Sequence, residues 1–200
     1  MCNNTIRPAI CTADCFLTFT NKMKLLILAD INDLHWRHGD GQADMVLSCG
    51  DVADRVIVEA ARAHGCPVIF AVKGNHDSNV QFMEPIVDLH LRTIEHKQIV
   101  FGGFNGSWRY KPGGHFLYGQ AEARELLVTL PPVHVLVSHN APKWVHDRED
   151  EVHCGFEALN EYISLAKPKY LIHGHQHVNR ETRMKGTTII GVYGHRLIEI

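Results

Sequence analysis

The chain has 200 residues, of which 45% are hydrophobic and 21% are charged, a composition that fits one globular domain with a substantial core. Its 20 Lys and Arg residues against 22 Asp and Glu residues give a net charge of −2, which argues against nucleic-acid binding through bulk positive charge. No apolar run approaches the roughly 18 residues that a membrane-spanning helix needs, so no membrane partner is expected. The six cysteines include no C-x-x-C pair, so we expect reduced thiols and a cytoplasmic protein rather than a disulfide scaffold.

Short apolar runs alternate with helical patterns from residue 24 onward, which is typical of an α/β domain. No repeat, low-complexity tract or linker interrupts the pattern, so residues 23–200 are expected to form a single domain. In chain order, the predicted elements are a strand at Lys24–Ala29, a strand at Met45–Cys49, a helix at Asp54–His64, a strand at Pro67–Val72, a strand pair within 91–104, a helix at Gly119–Leu130, a strand at Val133–Val137, a helix at Gly155–Ala166, a strand at Lys169–Ile172 and terminal strands at Thr187–Val192 and Arg196–Ile200.

The first 22 residues differ from the rest of the chain. They lack the basic region and the continuous apolar region of a signal peptide. Met23 and Lys24 then open a strongly apolar strand, as many short proteins begin. We therefore expect residues 1–22 to be a disordered extension or the product of an upstream start codon.

Polar side chains follow the carboxyl ends of almost every predicted strand, where the loops of an open α/β sheet converge and ligands gather. Asp, Asn and His all offer lone pairs to divalent transition metals, and the chain has 15 His residues. For His90, His96, His134 and His173, a packing or surface role is the favoured interpretation. The polar residues at the strand ends are Asp30, Asn32, Asp51, Asn75, His76, Asp77, His139, His175 and His177.

The order of these motifs, over residues 24–200, resembles that of the calcineurin-like metallophosphoesterase superfamily. The pattern of that superfamily is D-x-H, G-D-x-x-D, G-N-H-D, a lone His after a strand, and G-H-x-H. Here it reads Asp30-Ile31-Asn32, Gly50-Asp51-Val52-Ala53-Asp54, Gly74-Asn75-His76-Asp77, Ser138-His139-Asn140 and Gly174-His175-Gln176-His177. The resemblance implies a two-sheet β-sandwich flanked by helices, in four αββα layers. The segment 139–155 also looks like the smaller, phosphodiesterase-type members found in bacteria and archaea.

The resemblance further implies a binuclear metal centre at one edge of the sandwich. Manganese is the expected ion, with iron, nickel, magnesium and zinc as alternatives. One cation would take Asp30, Asp51, His177 and position 32, and the other would take Asp51, Asn75, His139 and His175.

Position 32 departs from the superfamily pattern, because Asn32 stands where the family has His. An amide oxygen is a harder and weaker ligand for Zn²⁺ than an imidazole nitrogen, so the change favours Mn²⁺, Mg²⁺ or Fe²⁺, or lowers the occupancy. The tripeptide Asp33-Leu34-His35 imitates D-x-H three residues later, which makes His35 an alternative ligand. His35 and His38 are also candidates for lining the cleft.

The charges of such a centre predict a mechanism. Two divalent cations, two aspartates and a bridging hydroxide leave a net positive charge, which attracts a phosphate and lowers the pKa of bound water. The hydroxide would then attack phosphorus in line. The resemblance places His76 over the leaving group as proton donor, with Asp54 orienting its ring, and a purely supporting role for His76 is the alternative. Asp77 is expected to support the loop as a hydrogen-bond acceptor.

The sequence therefore predicts metal-dependent hydrolysis of a small phosphoester, in particular a phosphodiester. The alternative is a catalytically weakened binding or scaffold protein of the same fold, which Asn32 keeps open. A nuclease is a third class, disfavoured by the near-neutral charge. Loop aromatics at Trp36, Trp108, Tyr110 and Trp144 either stack a nucleobase or cover the sheet edge. Nothing in the pattern indicates the oligomeric state.

Overall fold

The computed structural model describes residues 22–31, 41–148 and 150–200. The expectation for the amino-terminal extension falls, apart from residue 22, outside the described residues. The interpretations of Asn32, His35, Trp36 and His38 also lie outside them.

The described residues form thirteen strands and three helices, numbered here in chain order. The strands are β1 (Lys24–Ala29), β2 (Met45–Ser48), β3 (Val68–Ala71), β4 (Val87–Asp88), β5 (Thr93–His96), β6 (Ile99–Phe104), β7 (Ser107–Trp108), β8 (Leu117–Tyr118), β9 (Val135–Ser138), β10 (Tyr170–His173), β11 (Arg180–Met184), β12 (Thr187–Gly191) and β13 (Gly194–Glu199). The helices are α1 (Asp54–Ala63), α2 (Gln120–Leu127) and α3 (Glu157–Ala166).

The long strands are arranged in two mixed sheets. One sheet has the order β13-β1-β2-β3-β4, in which β1 to β4 run parallel and β13 pairs antiparallel with β1. The other has the order β11-β12-β10-β9-β6-β5, with a parallel centre and antiparallel strands at both edges. The short strands β7 and β8 pair with each other. The carboxyl ends of the parallel strands in both sheets meet at one edge of the molecule, as the hydrogen bonds from His175 N to Asp30 Oδ2 and from His139 Nδ1 to Cys49 O show.

Side-chain alternation along the central strands produces the layers. In β1, Leu25 and Ile27 point into the core between the two sheets, whereas Leu26 and Leu28 pack against α1. In β9, Val137 faces the core between the sheets, and Leu136 joins the third core, beneath α2 and α3. Because these strands are buried on both faces, their sequences are continuous apolar runs and do not alternate between polar and apolar residues. The predicted α/β fold with four αββα layers is confirmed.

Sequence patterns located the buried strands better than the exposed ones. The strand pair expected within 91–104 is the antiparallel pair β5 and β6. The edge strand β11 was not predicted, because its sequence, Arg-Glu-Thr-Arg-Met, is polar and largely exposed. The helix predicted at Gly119–Leu130 ends at Leu127, where backbone turns replace it. Among the described residues, no helix is long and apolar enough to cross a membrane.

Candidate metal centre

Four of the predicted ligands have a left-handed backbone, directly beyond the strands that carry them. The φ angles are 55° at Asp30, 55° at Asp51, 62° at His175 and 50° at His177. Non-glycine residues rarely adopt this conformation, and it occurs preferentially at functional sites, where the surrounding structure enforces it. The turn after each strand therefore directs these side chains toward the shared edge of the two sheets.

Two glycines of the motifs are required because aspartate carboxylates approach their Cα atoms closely. A Cβ atom at Gly74 would lie 2.1 Å from Asp51 Oδ1, and a Cβ atom at Gly174 would lie 2.8 Å from Asp30 Oδ2. Any side chain at either position would displace an aspartate. The glycines of G-N-H-D and G-H-x-H thus make room for the carboxylates of the other strands.

The centre of the site is a buried cluster of Asp30, Asp51 and His139, whose candidate donor atoms all lie within 4.8 Å of one another. His139 Nε2 lies 3.3 Å from Asp51 Oδ2 and 3.0 Å from Asn75 Oδ1. Its Nδ1 lies 2.8 Å from the carbonyl oxygen of Cys49, which can only accept a hydrogen bond. Nδ1 is therefore the donor, and Nε2 is the nitrogen that faces the cluster.

His175 and His177 complete the set from the other sheet. The amide of His175 donates to Asp30 Oδ2 at 2.8 Å, and its ring lies 4.9 Å from the ring of His139. Its Nε2 lies 3.2 Å from the carbonyl oxygen of Val152. His177 Nε2 lies 3.7 Å from Asp30 Oδ1.

The structure thus brings six of the seven predicted ligands together, and the seventh, Asn32, lies outside the described residues. The six are Asp30, Asp51, Asn75, His139, His175 and His177. Their role as metal ligands stays a prediction.

The two buried carboxylates of the cluster favour the binding of additional positive charge. Burial raises the pKa of Asp30 to about 6. Burial also acts to raise the pKa of Asp51, but attraction to His139 and hydrogen bonds from His139 and His76 lower it to about 2. Burial acts to lower the pKa of His139, but Asp51 and Asp30 outweigh it and raise the pKa to about 9. A proton on His139 thus offsets part of the charge of two buried carboxylates, and a divalent cation with oxygen and nitrogen ligands fits the same place.

The G-N-H-D loop is held by Asp77 and Asp51. Asp77 Oδ2 accepts hydrogen bonds from the amides of Asp51 and Gly74, at 2.8 and 2.7 Å, as expected for a supporting acceptor. Asp51 Oδ1 accepts the amide of His76 at 2.8 Å. The backbone of His76 is therefore fixed, while its side chain is exposed beside the cluster.

A cavity of about 430 Å³ adjoins this loop, and its lining includes Asp51, His76, Lys73 and Asp54. Asp54 accepts the amide of Met83 at 2.8 Å and lies 3.6 Å from Lys73 Nζ. In the described part of the chain no hydrogen bond joins Asp54 to His76. Asp54 lies in the cavity wall, and its role in orienting the His76 ring stays a prediction.

Tyr110 is the site residue that the motifs did not identify. Its hydroxyl accepts a hydrogen bond from Asn75 Nδ2 at 3.3 Å, which leaves Asn75 Oδ1 turned toward His139. The sequence singled out Tyr110 only as one of several loop aromatics. Of the others, Trp108 packs against the core beneath α2 and α3, and Trp144 is exposed.

The comparisons with known proteins agree with this fold. Residues 16–179 match the sequence model of the calcineurin-like phosphoesterases, and the chain belongs to that family. Members of the family are phosphoesterases that use divalent metals. No curated protein matches the chain.

Solved structures share the fold at low sequence identity. The protein TT1561 of Thermus thermophilus is 13% identical with a TM-score of 0.58, over 86% of this chain and 89% of its own. Phosphopantetheinyl hydrolase (PptH) from Mycobacterium tuberculosis is 14% identical with a TM-score of 0.56, over 84% and 89%. A putative 5′-nucleotidase from Staphylococcus aureus is 11% identical with a TM-score of 0.51, over 86% of this chain and 48% of its own. These similarities concern the fold alone.

Proposed function

We propose that the chain is a metal-dependent phosphoesterase that hydrolyses a small phosphoester, in particular a phosphodiester, with two divalent cations at the cluster. The observation that carries the proposal is the convergence of Asp30, Asp51 and His139, buried and with donor atoms within 4.8 Å of one another. Bound cations would supply Lewis acidity and an activated water. Manganese is the ion we expect, because the donors combine carboxylate and amide oxygens with imidazole nitrogens.

The side chains divide the proposed site into two halves. Asp30 and His177 lie together on one side, where their nearest atoms are 3.7 Å apart. Asn75 and His139 lie together on the other, 3.0 Å apart. Asp51 contacts His139 and is within reach of Asp30, so its carboxylate is the one that we expect to be shared between the two cations.

Substrate would enter beside the G-N-H-D loop. His76 is exposed there, with its amide anchored on Asp51, so its ring is free to give a proton to a leaving alkoxide. The adjoining cavity of about 430 Å³ suits the organic part of a small phosphoester. Lys73, whose ammonium lies over the Phe82 ring at 3.8 Å, anchors the wall of this cavity together with Asp54.

Hydrolysis of bis-p-nitrophenyl phosphate by the purified protein with added Mn²⁺ or Ni²⁺ tests the proposal. We expect turnover, two bound ions per chain by elemental analysis, and loss of both activity and one or both ions in Asp51→Asn and His139→Ala. The matched control is Asp44→Asn, which alters a carboxylate at the amino end of β2, where it pairs with Lys97. This control should retain activity.

Two results would decide against the proposal. Metal-loaded protein that turns over no phosphate ester would contradict an enzymatic role. Protein that binds no ion at saturating metal would favour the alternative of a binding or scaffold protein.

A further inference from the structure

A chain of hydrogen bonds runs from the edge strand β11 to the turn that carries His175 and His177. Thr182 Oγ1 lies 2.8 Å from His146 Nε2, and His146 Nδ1 lies 2.9 Å from His173 Nε2. His173 Nδ1 lies 2.9 Å from the carbonyl oxygen of Gly174. His173 is fully buried and His146 is 8% exposed. The loop between β9 and α3, which supplies His146, is thereby joined to both β10 and β11.

The acceptor at the end of this chain determines the direction of each hydrogen bond. A carbonyl oxygen only accepts, so His173 donates from Nδ1 to Gly174. Both rings are buried, and no carboxylate forms a hydrogen bond to either of them within the described residues, so both are neutral. His173 Nε2 then accepts from His146 Nδ1, and His146 Nε2 accepts from the hydroxyl of Thr182. One arrangement of protons satisfies all three contacts.

The neighbouring strand makes room for the two rings. Gly191 on β12 is in register with His173 on β10, and it has no side chain at the point where the two imidazoles meet. A Cβ atom there would lie 3.2 Å from His146 Nδ1 and 3.2 Å from His173 Cε1. His146 itself has a φ angle of 65°, so its loop adopts an unfavourable conformation in order to direct the ring inward.

The Gly174 peptide connects this chain to the predicted ligands. Its carbonyl oxygen accepts from His173 and from the amide of Gln176 at 2.7 Å, and its amide donates to the carbonyl oxygen of His139 at 3.0 Å. The turn between His175 and His177 is therefore fixed at the Gly174 peptide, to which His173 is hydrogen-bonded.

We propose that Thr182, His146 and His173 are positioning residues, which hold the turn bearing His175 and His177 in the geometry that binds metal. Thr182 forms no contact with a predicted ligand among the described residues, yet its hydroxyl is the donor that satisfies His146 Nε2 and so holds the ring that donates to His173. The inference rests on the proposed metal site, although the hydrogen-bond chain itself is measurable in metal-free protein.

Thr182→Val removes the hydroxyl with little change in shape and is the central variant. Nitrogen NMR of histidine-labelled, metal-free protein should show His146 and His173 both protonated at Nδ1, and in Thr182→Val the Nε2 signal of His146 should shift because that nitrogen no longer accepts a hydrogen bond. The Mn²⁺ dissociation constant should rise about 10-fold, at the lower end of the effect of residues that support metal ligands. Thr182→Ser should restore both readouts. Thr188→Val, the same change on the neighbouring strand β12, should alter neither.

Gly191→Ala provides a second variant that keeps every donor and acceptor but crowds both rings. It should also weaken Mn²⁺ binding and shift the amide signals of His175 and His177. Wild-type metal affinity and unshifted His175 and His177 amides in both Thr182→Val and Gly191→Ala would overturn the inference. If the wild-type protein binds no Mn²⁺, the proposed function fails, and the His146 Nε2 signal and the amide shifts of His175 and His177 still decide whether the hydrogen bonds position the turn.

Discussion

At the scale of single residues, the site depends on aspartates in a conformation that aspartates seldom adopt. Asp30 and Asp51 each have a φ angle of 55°, a conformation whose cost is on the order of 1–3 kcal/mol per residue. Hydrogen bonds hold this backbone: the amide of Asp30 donates to the carbonyl oxygen of Gly50 at 3.1 Å, and the amide of Asp51 donates to Asp77 Oδ2 at 2.8 Å. Backbone amides of the G-H-x-H and G-N-H-D motifs hold the two carboxylates in place.

Replacement of His76 tests proton donation at this scale. We expect His76→Gln to lower kcat about 100-fold or more for a dialkyl phosphodiester, because an alkoxide leaving group needs a proton. The effect on bis-p-nitrophenyl phosphate should be much smaller, because p-nitrophenolate leaves without one. Steady-state kinetics with both substrates gives the comparison, and His115→Gln, another exposed loop histidine, is the control. An equal loss with both substrates would assign His76 a supporting role instead.

At the scale of elements, β1 links the cores of the molecule to the site. Its side chains are buried on both faces, and Asp30 follows its last residue. Ile27 is fully buried between the two sheets. Ile27→Ala should therefore lower the free energy of unfolding by about 2–5 kcal/mol, the range for a large side chain removed from a packed core. Urea denaturation measures this.

Leu165→Ala is the control for Ile27→Ala, because Leu165 on α3 is 81% exposed. Its effect should stay within about 0.5 kcal/mol. Equal losses of stability in the two variants would mean that the core between the sheets does not carry the stability of the fold.

The sequence was sufficient to predict elements whose residues are buried and to predict which polar residues beyond the strands lie close together. Continuous apolar runs located β1 and β9, and polar residues beyond the strands identified Asp51 and His139. Exposure removes that signal from β11, which is polar because it lies at an edge. The sequence singled out Tyr110 only as a loop aromatic, because its contact with Asn75 joins residues 35 positions apart and follows from how the loops pack.

At the scale of the whole molecule, the site forms only where the two sheets meet. Asp30, Asp51 and Asn75 come from the first sheet, whereas His139 and His175 come from the second. Packing of the sheets therefore brings two carboxylates and their counter-charge together, and stability and metal binding should be thermodynamically coupled.

That coupling predicts how the stability of metal-free protein depends on pH. The pKa of His139 rises from 6.5 to about 9 on folding, since Asp51 and Asp30 outweigh burial. The folded state thus holds this proton more tightly than the unfolded state. Its contribution to stability is complete below about pH 6.5 and is lost as the pH rises through about 9.

Thermal unfolding of EDTA-treated protein between pH 6 and pH 9 measures this loss as a falling Tm. Saturation with Mn²⁺ should raise the Tm and flatten the dependence, because the cation then supplies the positive charge and His139 is neutral. His139→Gln, which cannot titrate, should also lack the decline in its metal-free form. A metal-free wild-type Tm as flat as that of His139→Gln over this range would mean that the proton on His139 does not balance the buried carboxylates.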